Sequence, residues 1–136
     1  MKRFFLILAV FLCFLVTGCG NDEKTDKEVK KEEVIIETIS TVDVKEIVDN
    51  FDEHLNIDII DVRTEEEFEE GHIKGAINIP LAHISEINLS TEQTIIVYCQ
   101  SGSRSRQAAK ELKALGYDSV KDMGGINDWE YELEES

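Results

Sequence analysis

Cys99, Gln100, Ser101, Gly102, Ser103 and Arg104 follow one another at the end of the apolar run TIIVYC, residues 94–99. A thiol, small hydroxyl residues, a glycine and a guanidinium in this order suit anion chemistry. A β-rich apolar run that stops at a cysteine puts the thiol at the C-terminal end of a buried strand. In open parallel sheets that is the crevice where ligands bind. If a helix starts at Ser103, its first backbone N–H groups lack intrahelical partners and its dipole adds partial positive charge. A thiolate there is stabilised, so the thiol pKa falls and the nucleophile populates near neutral pH. Gly102 can take a positive φ, which lets the backbone curl around the sulfur. Arg104 adds a fixed charge and a planar donor fork for an oxyanion substrate. A buried cysteine is also a common small core residue, but a core cysteine has no need of glycine, serines and arginine directly behind it.

The elements that would hold this loop can be read around it. From Val34 onward strand and helix signals alternate, which implies an α/β domain. VIIETI, 34–39, reads as a first strand. Ser40 or Thr41 caps a helix through Asn50, with Val44, Ile47 and Val48 on one face. IDIIDV, 57–62, is a buried strand. Thr64 to Glu67 forms a capping box that opens a short acidic helix. GAINIP holds a brief strand stopped by Pro80, and LAHISEI a helix of one or two turns. Ser103 to Leu115 carries Ala108, Ala109, Leu112 and Leu115 at helical spacing, with Gly116 at C′. DSVKDM is a last strand, and Ile126 to Leu133, with Trp129 as a core residue, a closing helix.

Cys99-Gln100-Ser101-Gly102-Ser103-Arg104-Ser105 resembles the active-site loop of the rhodanese-like sulfurtransferases. Ile60-Asp61-Val62-Arg63, Glu67-Phe68 and Gly71 to Pro80 resemble that family's upstream signature, and Gly124 to Trp129 its closing one. Three signatures in order span nearly all of residues 38–133. The resemblance implies a single-domain rhodanese-like α/β fold, with a central, mostly parallel sheet of about five strands and helices on both faces. It also implies a persulfide cycle. Cys99 would take sulfane sulfur from a small anionic donor such as thiosulfate, hold it under the N–H groups of residues 100–104, and yield it to cyanide or a thiol. No metal or organic cofactor is implied. Cys99 would be catalytic, and Gln100, Ser101, Gly102, Ser103 and Arg104 would bind substrate. Thiolate phosphatases on this fold place arginine six positions after the cysteine. Here that position is Ser105, and the six-residue cradle Cys99–Arg104 favours sulfur over phosphorus. A persulfide carrier or binding module is the alternative, and a thiolate phosphatase or arsenate reductase the weaker one.

Asp61 is expected near the cradle, orienting the loop through Arg104 or the Ser105 hydroxyl; a strand-end cap or a surface ion pair with Arg63 is the competing role. Ser105 shares the loop-orienting part, and Arg63 reads as structural. Gln100 and Ser103 line the mouth. His72 reads as architectural, since a thiolate of lowered pKa needs no base. His54 and His83 have no liganding partners at metal spacing. The run Glu65–Glu70 reads as a solvated helix face.

The first residues look like an address. Lys2 and Arg3 precede a 13-residue apolar run, Phe4 to Val16, shorter than the roughly 20 residues that cross a bilayer and matched to a secretory signal. Thr17-Gly18-Cys19 resembles the lipobox of bacterial lipoproteins, implying a signal over 1–18, cleavage before Cys19 and lipidation of its sulfur; a plain cleaved signal or a short anchor are the alternatives. Several acyl chains would anchor the protein stably. Residues 20–33, polar and mixed in charge, read as a flexible tether, so 19–33 lifts the domain 34–136 off the membrane on the extracytoplasmic side. Losing Lys2 and Arg3 takes the formal charge from −15 to −17. Such acidity excludes nucleic acid as a partner and adhesion through basic patches, but not a small anion held by backbone amides. A redox partner protein completes the expected partners.

Overall fold

The computed structural model describes residues 33–136. The expected signal segment, Cys19 and nearly all of the tether lie outside the described residues. Five strands, β1 Glu37–Thr38, β2 Ile57–Asp61, β3 Ile77–Asn78, β4 Thr94–Cys99 and β5 Val120–Gly125, make one sheet in the order β1-β5-β4-β2-β3. Every strand pairing is parallel. The helices are α1 Thr41–Asp49, α2 Glu65–Glu70 and α3 Ser103–Ala114.

Strand β4 lies at the centre of the sheet, and its side chains alternate between two cores. Ile95, Val97 and Cys99 join Ile60, Val62, Ala108, Ala109 and Leu112 on the α3 side. Ile96 and Tyr98 join Val44, Val48, Ile59, Met123 and Trp129 on the α1 side. Burial on both faces is why residues 94–99 read as a continuous apolar run rather than an alternating one.

The sequence places most elements well, with three differences and one refinement. The first strand shrinks to Glu37–Thr38: it is a sheet edge paired only with β5, and Val34 and Ile35 stand exposed before it. Residues 81–86, expected as a helix of one or two turns with no type assigned, take the 3₁₀ form. Leu115, expected on the buried face of α3, is 47% exposed at the helix C-cap, and Tyr117 enters the core instead. The closing helix is replaced by a single 3₁₀ turn, Ile126–Asp128. Trp129 turns into the α1-side core, and Glu134 pairs with His72 through two 2.9 Å backbone hydrogen bonds, which needs extended chain. Glu130, Glu132 and Glu134 would also crowd the negative end of a helix there.

Candidate active site

Cys99 is the last residue of β4, and α3 begins four residues later. The turn between them rests on Gly102, with φ +96°, which also caps α3. Beneath the loop run Gly124 and Gly125. A Cβ on Gly125 would lie 2.6 Å from the Gln100 carbonyl oxygen and 2.8 Å from Ser101 Cα, so only glycine lets the loop sit that low. A bulge brings these glycines there. Val97 pairs with Asp122 and Tyr98 with Gly124, leaving Met123 as the extra residue. The Gly124 N–H donates to Asp122 Oδ1 at 2.9 Å, which fixes the kink.

The loop closes on the sulfur. The Gly102 N–H donates to Cys99 Sγ at 3.1 Å. The Ser101 and Ser105 backbone and the Ser105 hydroxyl lie near it and favour its anionic form. Burial is the largest single influence on the thiol and pushes its pKa up, but the hydrogen bonds from Ser105, Gly102 and Ser101 together outweigh it, and the thiol ends below its ordinary value. The residue is 1% exposed, so the thiol lies at the bottom of the cradle.

Two arginine–carboxylate pairs flank the loop, and neither follows the expected partners. Asp61, expected on Arg104 or Ser105, instead grips Arg63. Nη2 and Nε of Arg63 donate to Asp61 Oδ2 at 2.6 and 3.0 Å, and the Arg63 backbone N–H donates to Oδ1 at 2.9 Å. The pair is buried, Asp61 at 0% and Arg63 at 4% exposure. A charge at that depth demands a partner, and the one two residues along the chain is nearest. Arg63 also donates to the Gly71 carbonyl at 2.7 Å and to Gln100 Oε1 at 3.4 Å. Gln100 Nε2 donates onward to Asn127 Oδ1, and the Asn127 N–H donates back to the Gln100 carbonyl at 3.2 Å. Asp61 therefore reaches the loop only through Arg63.

The fork of Arg104 is likewise turned away from the oxyanion expected for it. Its Nη1 donates to Glu67 Oε2 at 2.7 Å and Nη2 to Oε1 at 2.8 Å. Glu67 is held in place by the capping box at the start of α2, where Thr64 Oγ1 accepts the Glu67 N–H and Glu67 Oε2 accepts the Thr64 N–H. The hydrogen bond from Arg104, opposed by partial burial and helped by the Thr64 N–H, lowers the Glu67 carboxyl from 4.5 to about 2.

Of the residues singled out from sequence, the structure gathers Cys99 to Ser105 into one turn. Ser101 and Ser103 stand exposed on its rim and Gln100 is half-buried. Ser105 is buried, and its hydroxyl donates toward the Gly102 and Gly124 carbonyls at 3.1 and 3.3 Å. Sequence reasoning assigned Ser105 to orienting the loop and did not foresee its part in lowering the thiol pKa. It also missed Glu67, Asn127 and the link from Arg63 to Gln100. The N3 position of a capping box was the available signal for Glu67; nothing local marked the others. His72 donates from Nδ1 to the Phe68 carbonyl, 2.9 Å away, and stacks on the Phe68 ring.

A parallel sheet with a thiol at the head of a helix, cupped by that helix's first amides, defines a site for an anionic sulfur. The chain belongs to the rhodanese-like domain family, which its residues 43–132 match. Thiosulfate sulfurtransferase PspE of Escherichia coli (strain K12) is 40% identical over 74 residues, 51% of this chain and 70% of that protein. YrkF of Bacillus subtilis (strain 168), provisionally named a sulfur carrier protein, is 40% identical over 99 residues, 69% of this chain and 51% of YrkF, so the chain spans about half of that relative. The solved structure of a rhodanese with anions from E. coli matches with a TM-score of 0.55 and 34% identity, over 59% of this chain and 99% of that one.

Proposed function

We propose that this protein is a sulfurtransferase that moves sulfane sulfur from a donor such as thiosulfate to a thiophilic acceptor through a Cys99 persulfide. The Cys99 thiolate attacks the outer sulfur of thiosulfate. A new S–S bond forms, the old one breaks, and its electron pair leaves with sulfite. Cyanide or a thiol then attacks the outer sulfur of the persulfide, departing as thiocyanate or as a new persulfide, and the Cys99 thiolate returns. Splitting the transfer in two is what a nucleophilic cysteine offers, and fixed amide donors favour the anionic sulfur at each stage. The observation that carries this reading is the buried Cys99 thiol at the head of α3, with the Gly102 N–H donating to Sγ at 3.1 Å. The name of PspE and the six-residue loop Cys99–Arg104, one residue too short for a phosphoryl cradle, support it further.

The test is thiocyanate formation from thiosulfate and cyanide by the full-length chain, against a Cys99→Ser variant. Turnover that depends on Cys99 supports the proposal; equal turnover in the variant sinks it. The provisional name of YrkF favours a second reading, a carrier that keeps its persulfide for a protein partner. A stable persulfide with negligible turnover to small acceptors would favour the carrier. Residues 1–19, with their basic start, apolar run and Thr17-Gly18-Cys19, support a lipid anchor and an extracytoplasmic place for the reaction. Cys19→Ala should release the protein from the membrane fraction.

A further inference from the structure

Both guanidinium groups beside the cradle are already occupied. Arg63 spends its donors on Asp61, the Gly71 carbonyl and Gln100. Arg104 places its two outer nitrogens on the two oxygens of Glu67. Glu67 is itself tied down a second time by the Thr64 N–H at 2.9 Å, so the carboxylate is preorganised toward Arg104 rather than swinging free. Glu65 and Glu66 stand exposed in the same turn of α2 and add negative charge. What remains for an incoming donor is a ring of uncharged amides and hydroxyls around one anionic sulfur. A dianion must then bring its oxyanion head toward a thiolate flanked by two guanidinium groups that already hold carboxylates.

Resting on the sulfurtransferase reading, we propose that Glu67 is a specificity-determining positioning residue: by holding Arg104 in a two-point ion pair, it disfavours dianionic sulfur donors relative to singly charged ones. Glutamine at this position keeps the capping box, because the side chain at N3 needs only an acceptor oxygen for the N-cap N–H. It removes the charge that retains Arg104. The Glu67→Gln substitution therefore separates the helix-start role of Glu67 from its electrostatic one.

The experiment compares steady-state kinetics of the full-length chain with thiosulfate, a dianion, and methanethiosulfonate, a monoanion, using cyanide as acceptor. Both donors deliver their outer sulfur to the Cys99 thiolate by the same bond change; sulfite or methanesulfinate leaves with the electron pair. In the wild-type chain KM is lower for methanethiosulfonate. Glu67→Gln lowers KM for thiosulfate about tenfold, the scale of one additional charge-assisted hydrogen bond, and shifts KM for methanethiosulfonate much less, with kcat moving less than KM. In the double variant Glu67→Gln/Arg104→Gln the thiosulfate improvement disappears. A lower wild-type KM for thiosulfate, an equal shift for both donors, or an improvement that survives loss of Arg104 each overturns the proposal. Sulfur uptake by Cys99, followed by intact mass with both donors, separates the two levels. Uptake without the KM pattern removes only the role of Glu67; no uptake from either donor removes the sulfurtransferase reading and this proposal with it.

Discussion

The two arginine–carboxylate pairs beside the loop use the same chemistry at different depths. Arg63 and Asp61 are sealed, their side chains 5% and 0% exposed. Arg104 and Glu67 stand at the surface, their side chains 34% and 29% exposed. In the sealed pair each partner is costly to leave alone, because water cannot replace it. In the outer pair water can, so the pair contributes little to folding and is free to tune what approaches the sulfur. The inner pair belongs to the scaffold of the loop, and the outer pair to its electrostatics.

The comparison breaks first at Asp61. Asp61→Ala leaves the Arg63 charge buried without its carboxylate and should lower stability by about 3–5 kcal/mol, read by urea denaturation. A loss below about 1 kcal/mol would place Arg63 in contact with water and collapse the distinction. Next comes the floor of the loop. Gly125→Ala drives a methyl into the Gln100 carbonyl and Ser101. It should cost about 1–3 kcal/mol by overpacking and reduce sulfur transfer more than that stability loss explains, because the displaced atoms belong to the loop around Sγ. Activity unchanged in a folded Gly125→Ala protein would mean that the cradle tolerates a shift.

The outer pair should give the smallest stability effect. Glu67→Gln should cost under about 1 kcal/mol, the range of exposed ion pairs. Its pH dependence has a defined sign. The Glu67 carboxyl is lowered in the folded protein from 4.5 to about 2, so its contribution is fully present above about pH 4.5 and is lost as pH falls toward 2. The stability difference between wild type and Glu67→Gln should therefore shrink over that interval. A difference that grows on acidification would contradict the pairing with Arg104.

Sequence made some of this legible, for physical reasons. The strand 94–99 and the helix after Gly102 are read from local signals: an apolar run, a glycine, and Ala108, Ala109 and Leu112 at helical spacing. The thiol's place at the head of α3 follows from those two elements alone. The partners across the loop do not. Arg104 meets Glu67 from 37 residues away, and Gln100 meets Asn127 from 27. No local periodicity encodes either meeting, so an acidic run that looked wholly solvated hid one half-buried member. Asp61 differs in the opposite way: its direct partner is Arg63, two residues along the chain, rather than Arg104 or Ser105, and it meets the loop only through that arginine. The closing segment misled because Trp129 and Leu133 fit a helical spacing, while the pairing of Glu134 with His72 that keeps it extended is long-range.

The central claim is that Cys99 holds sulfane sulfur under the amides of its own loop. Intact-mass measurement of the full-length chain after incubation with thiosulfate tests it most directly. The account predicts a mass increase of one sulfur atom, located on Cys99, absent from Cys99→Ser, and removed by cyanide. An unchanged mass in a folded protein, or an increase that persists in Cys99→Ser, would contradict it.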